Sequence, residues 1–246
     1  MADADMITDM ITPRNARLVV AMAAGAMLVA GCSGKEDSAD RWNSPAPTTS
    51  REQLMLTPAE FPSGTTKLDL PQDKLQSAVG DISAIQQNAT FTPAECGSTQ
   101  QDLGAATKEL LGQSSIAAAT DKSSVMFMEF ISSRTGNLQR ITDGNKRCGE
   151  VQMTSTVDGQ QVTATEHVEN QPMPQELKGA NAIAYKVSST ATAGTGSPMT
   201  TAAYMGYAEV RGTTVAVRVA ALQDSLDKAA FEQFFVAAVQ KVANAA

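Results

Sequence analysis

Beyond Cys148 the apolar residues change spacing from every third or fourth position to every second, and this change restricts the fold more than any other feature of the chain. Runs 150–157 and 160–168 flank Asp158-Gly159, and runs 200–209 and 213–222 flank Arg211-Gly212. A two-residue turn of this kind needs positive φ at both central positions, which glycine and aspartate tolerate, so each pair predicts a tight hairpin. Another alternating run covers 182–190, with Pro172 and Pro174 marking the connection before it and a flexible loop at 193–198 after it. Hairpins joined in series pair antiparallel, so the second half predicts a meander and not a parallel sheet wound with helices.

The flanks carry helical spacing. Residues 73–86 place Leu75, Val79, Ile82 and Ile85 on one helical face, and a second helix runs from 94 or 98 to 111 and stops at Gly112. SVMFMEFIS at 124–132 reads as a strand, and 134–147 as a short helix. The last helix spans 225–243, with Asp224 as its cap and Phe231, Phe234, Phe235, Ala238 and Val242 as its apolar stripe. The expected fold is α+β: a curved antiparallel sheet of five or six strands, helices packed on one face, and one disulfide.

At the other end, LVVAMAAGAMLVAG at 18–31 is apolar but shorter than the roughly 20 residues that span a bilayer. Arg14 and Arg17 precede it and Cys32 follows, the order of a secretory signal. Asp3, Asp5 and Asp9 are foreign to such a signal, and translation from Met6 or Met10 instead of Met1 would remove some or all of them. Val29-Ala30-Gly31-Cys32 resembles the lipobox of bacterial lipoproteins, in which the cysteine is acylated by diacylglycerol and becomes the N-terminus. A hydrophobic helix that merely ends in cysteine is the alternative. The lipobox reading divides the chain into a signal peptide (1–31), a lipidated N-terminus with a disordered tether (32–53) and a single α+β domain (54–246). It places the protein at the cell membrane, lipid-anchored on the extracytoplasmic face. The tether, with Trp42 its one aromatic residue, would reach about 60–70 Å if extended.

Lipidation of Cys32 leaves Cys96 and Cys148, an even pair in an exported protein, as disulfide partners; two buried free thiols are the alternative. Closing a loop of that length contributes roughly 4 kcal/mol in the chain-entropy account. With 26 acidic residues against 19 basic ones and 4% aromatics, the composition excludes a nucleic-acid binder. His167 is the only histidine, so no zinc ligand set and no serine or cysteine triad is nominated; its ordinary role is a solvated strand residue. No cofactor motif occurs. Met126, Met128 and Met205, with Tyr204, lie on expected strands and are the candidate walls of a ligand pocket, since methionine adapts its shape to apolar ligands; core filling is the alternative.

LMLTPAEFPSG at 54–64, TPAEC at 92–96 and a second cysteine about fifty residues on resemble a family of actinobacterial, mycobacterial-type lipoproteins without assigned activity. That family is distantly similar to the extracellular sensor domain of receptor Ser/Thr kinases, an α+β domain with a ligand-sized cleft. The resemblance implies a sensor-like domain here, with one cysteine pair where the kinase domain has two disulfides. The expected function is a non-enzymatic, lipid-anchored envelope protein that binds a small ligand, a lipid or an envelope protein. An envelope hydrolase or transferase acting on glycan or lipid through carboxylates is the alternative. Intact mass spectrometry of protein extracted from native-type membranes should find a chain that starts at Cys32 and carries covalent acyl mass. Cys32→Ser should lose that mass; an unprocessed, unacylated wild-type chain would remove the anchor.

Overall fold

Arg211 (φ +52°) and Gly212 (φ +72°) both adopt left-handed backbone, and Val210 pairs with Thr213 across them, forming the two-residue turn that the alternation demanded. The computed structural model describes residues 40–69, 71, 89–157, 159–223 and 225–246, which belong to a unit spanning Glu36–Ala246. The signal segment, Cys32, the expected helix at 73–86, Asp158 and Asp224 lie outside the described residues. Five long strands form the expected meander: β5 (Glu150–Val157), β6 (Gln160–Gln171), β7 (Asn181–Ala193), β8 (Met199–Val210) and β9 (Thr213–Leu222).

Four strands that precede Cys148 extend the meander. They are β1 (Thr66–Lys67), β2 (Thr90–Thr92), β3 (Ser114–Thr120) and β4 (Met126–Ser132), and the order is β1-β3-β4-β9-β8-β7-β6-β5-β2, antiparallel throughout. The sheet therefore has nine strands, not five or six. β1 and β2 are too short to show a period, and β3 (SSIAAAT) is built of residues that seldom signal a strand; its Ile116, Ala118 and Ala119 are buried.

Helices lie on both faces, a correction to the expected single layer, because β4, β8 and β9 are apolar on both sides of the pleat. On the first face α5 (Lys228–Ala243), N-capped by Asp227, lays Phe231, Phe234 and Phe235 against Phe127 of β4, Val217 and Val219 of β9 and Tyr204 of β8. Fully burying one such ring contributes about 2–3 kcal/mol, so this helix anchors the main core. The same cluster takes in Trp42 of α1 (Asp40–Asn43), 2% exposed, and Leu54 of α2 (Arg51–Leu54). Residues expected to belong to a disordered tether thus form part of the fold. The Trp42 carbonyl accepts the Arg211 N–H at 2.8 Å, and the Arg211 guanidinium donates to the Pro45 carbonyl and to those of Ala243 and Ala245.

On the second face α4 (Leu138–Arg147) packs Leu138 and Ile141 against Ile116, Met128, Phe130, Tyr207 and Ala216. Beside it runs α3 (Glu95–Gly112), tied to α4 by Arg140–Asp102 and by the Cys96–Cys148 disulfide, which lies over Val151 of β5.

The tightest approach is at Gly206 of β8, where an added Cβ would stand 2.9 Å from the Phe235 ring. Gly206→Ala should lower stability by about 1–3 kcal/mol, read from the urea midpoint, by forcing α5 off the sheet. An unchanged midpoint would show that the ring can give way.

Candidate functional site

A cleft of about 630 Å³ opens on the first face where the N-terminal half of α5, the segment 60–65 and the β3–β4 turn meet. Phe61, Val125, Phe127, Val219 and Phe234 form its floor. Phe234 holds the floor together, with its ring 5.1 Å from that of Phe61 and 5.6 Å, edge-on, from that of Phe127. Three carboxylates stand among the lining residues, and each also fixes local backbone. Asp121 accepts the N–H groups of Ser123 and Val125, Asp227 caps α5 through the Ala229 N–H, and Glu60 accepts the Thr57 N–H at 2.6 Å. Glu60 also pairs with Lys241 at 2.6 Å, and that ammonium, with the Thr57 N–H, holds its carboxyl down to about 2.

Close to this pair lies a second carboxyl of opposite character. Glu129 of β4 is 0% exposed; one oxygen accepts the Leu56 N–H at 2.8 Å and the other has no hydrogen-bond partner. Burial raises its pKa to about 7, against the pull of the Leu56 N–H and the charge of Lys241, with Glu60 adding a smaller upward push. Two carboxyls tuned so far apart are the usual mark of acid–base chemistry. Here, however, Glu129 does not line the cleft and Glu60 is committed to its ion pair.

The sequence-selected pocket residues do not converge. Tyr204 faces the α5 core, stacked on Phe231 at 5.1 Å, whereas Met128 and Met205 point to the opposite face; Met126, 37% exposed, lies on that face one row further along. Alternation forces this split, because Tyr204 and Met205 are successive residues of one strand. Met128 and Met205 do share a setting: both are register partners of Arg218 in β9. The Arg218 side chain makes no hydrogen bond or ion pair among the described residues, and burial lowers its pKa while the nearby phenols of Tyr207 and Tyr185 favour its charge. Those two rings stack at 6.1 Å and 9°, and burial raises both phenol pKa values. Sequence reasoning passed over Arg218 and Glu129, yet each is the one charged residue of its strand, TTVAVRVAAL and MFMEFIS. His167 is exposed on β6, 3.7 Å from Glu169. Among the described residues no three of His, Cys, Asp and Glu gather as metal ligands, and no helix is long and apolar enough to cross a membrane.

Glu129 makes stability depend on pH. The folded protein keeps the proton up to about 7 while an unfolded glutamate releases it near 4.5, so its contribution is full below 4.5 and declines as pH rises to 7. The difference amounts to a few kcal/mol. Glu129→Gln should therefore gain on the wild type across that interval in paired urea melts; a constant offset from pH 4.5 to 8 would show that Glu129 is not protonated in the folded state.

No protein-family model matches the chain, and no curated protein matches it. Among solved structures it is similar to an uncharacterized protein from Mycobacterium smegmatis, at 17% identity and a TM-score of 0.38, over 84% of this chain and 97% of that one.

Proposed function

We propose that the protein is a non-enzymatic binding module, held at the extracytoplasmic face of the membrane by a diacylglycerol-type lipid on Cys32, that takes a small amphipathic ligand into the cleft beside α5. The observation that carries this reading is the cleft itself: about 630 Å³, floored by aromatic and aliphatic side chains and lined at its mouth by Glu60, Asp121, Asp227 and Gln233. That volume falls within the range of small-molecule sites, and an apolar floor with a few polar groups is how such sites combine affinity with orientation. The hydrolase or transferase reading has less support, because a catalytic acid must touch its substrate and Glu129, the carboxyl held up to about 7, is enclosed. Mature Cys32 with polar residues after it supplies the anchor, and the Cys96–Cys148 bond fits an oxidising compartment.

Filling the cleft tests the reading. The neutral dye N-phenyl-1-naphthylamine should bind the wild type with enhanced fluorescence. Ala230→Phe, which places a ring in the cleft lining, should weaken it at least tenfold while leaving the unfolding free energy from urea melts within about 1 kcal/mol. Equal binding by wild type and variant would exclude the cleft as the ligand site.

A further inference from the structure

Arg218 stands in the middle of the sheet face opposite the cleft, on the fourth strand of nine, and the side chains beside it are Met128 and Met205. No carboxylate meets it among the described residues; Glu166, on the same face three strands away, makes no ion pair, and burial raises its pKa. A guanidinium half-removed from water without an anion is costly, and proteins rarely keep one without a use. A long stem that merely covers apolar surface would explain the methylenes of Arg218. It does not explain the stacked pair Tyr185 and Tyr207 set near the guanidinium, nor the surface that follows.

The large apolar side chains exposed among the described residues are Met126 (37%), Met199 (57%) and Leu222 (66%). By the strand registers all three stand on the same face as Arg218, beyond its row and away from the rows where α4 packs. From Arg218 the track runs through Ala220, paired with Met126 and Ala203, to Leu222. At about 3.3 Å per residue this is roughly 13 Å of apolar surface leading away from the Arg218 guanidinium.

The geometry points to a binding site for a free single-chain anionic amphiphile, with its acidic head on Arg218 between Met128 and Met205 and its acyl chain along Ala220 toward Leu222 and Met126. The head supplies a counter-ion for Arg218, whose guanidinium lies near the phenols of Tyr185 and Tyr207, themselves hydrogen-bonded to each other. The chain covers the exposed methionine and leucine side chains. This site is independent of the cleft beside α5, which lies on the other face.

Methyl NMR on the full chain labelled at methionine tests it, with Cys32→Ser in place so that no attached lipid competes. Dodecanoate below its micelle concentration should shift the Met128 and Met205 methyls and bind at least tenfold more tightly than dodecyltrimethylammonium. Arg218→Gln should abolish that preference and weaken dodecanoate at least tenfold, Arg218→Lys should retain it, and Leu222→Asp should weaken dodecanoate severalfold without moving the methyl of Met55, which is buried in the core cluster that α5 anchors. Ala230→Phe should change nothing here. Equal response to both amphiphiles would overturn the proposal by showing a surface with no selectivity for the head. So would equal response to inorganic phosphate, which would mark an anion site without a chain, or binding only to vesicles containing anionic phospholipid, which would mark a membrane-docking face. A failure of the cleft reading leaves all of these outcomes unaffected.

Discussion

Alternation in β9 divides the labour of the whole molecule. A strand residue can face only one side, so Val215, Val217, Val219 and Ala221 are committed to the α5 core and Ala216, Arg218, Ala220 and Leu222 to the other face. The first row is sealed by three phenylalanines and admits a helix closely enough to require glycine at position 206. The second row has α4 packed at one end and keeps a cation and exposed leucine toward the other. One strand placed between β4 and β8 therefore settles where the core is dry and where the surface remains open.

The same alternation explains what could be read from the residues. β5 and β9 begin and end where their period predicts, and β6, β7 and β8 run somewhat longer. The last helix begins at Lys228, three residues later than its spacing suggests, with Asp227 as its cap. Three strands were illegible for different reasons. β1 and β2 contain two and three residues, and β3 owes its strand state to its neighbours and not to its serines and alanines. The two-sided helix layer was also hidden, since a strand that is apolar on both faces shows no alternation to say so.

The candidate sites depended on partners that a linear reading does not supply. Met128 and Met205 are seventy-seven positions apart in sequence, and only the shared neighbour Arg218 makes them a pair. Tyr204 could not join them once Met205 was placed. A single charge inside an apolar strand was visible at both Glu129 and Arg218, but whether such a charge is neutralised, paired or left open is decided by what lies across the sheet. Glu129 is met by one N–H and keeps its proton to near neutrality, whereas Arg218 is met by sulfur and phenol.

Burial of Trp42 would change the mechanics of an attachment through Cys32. A domain whose ordered part began near Leu54 would swing on a lead of some twenty residues. With the chain pinned at Trp42 and its carbonyl held by the Arg211 N–H, only the eight steps from Cys32 to Asp40 separate a lipid at Cys32 from the folded unit. Fully stretched, those steps span about 25–30 Å, which is less than half the reach that composition alone allowed. An anchor on Cys32 would then act as a short leash, holding the domain within one protein diameter of the lipid head groups and leaving it little freedom to sample a distant wall layer.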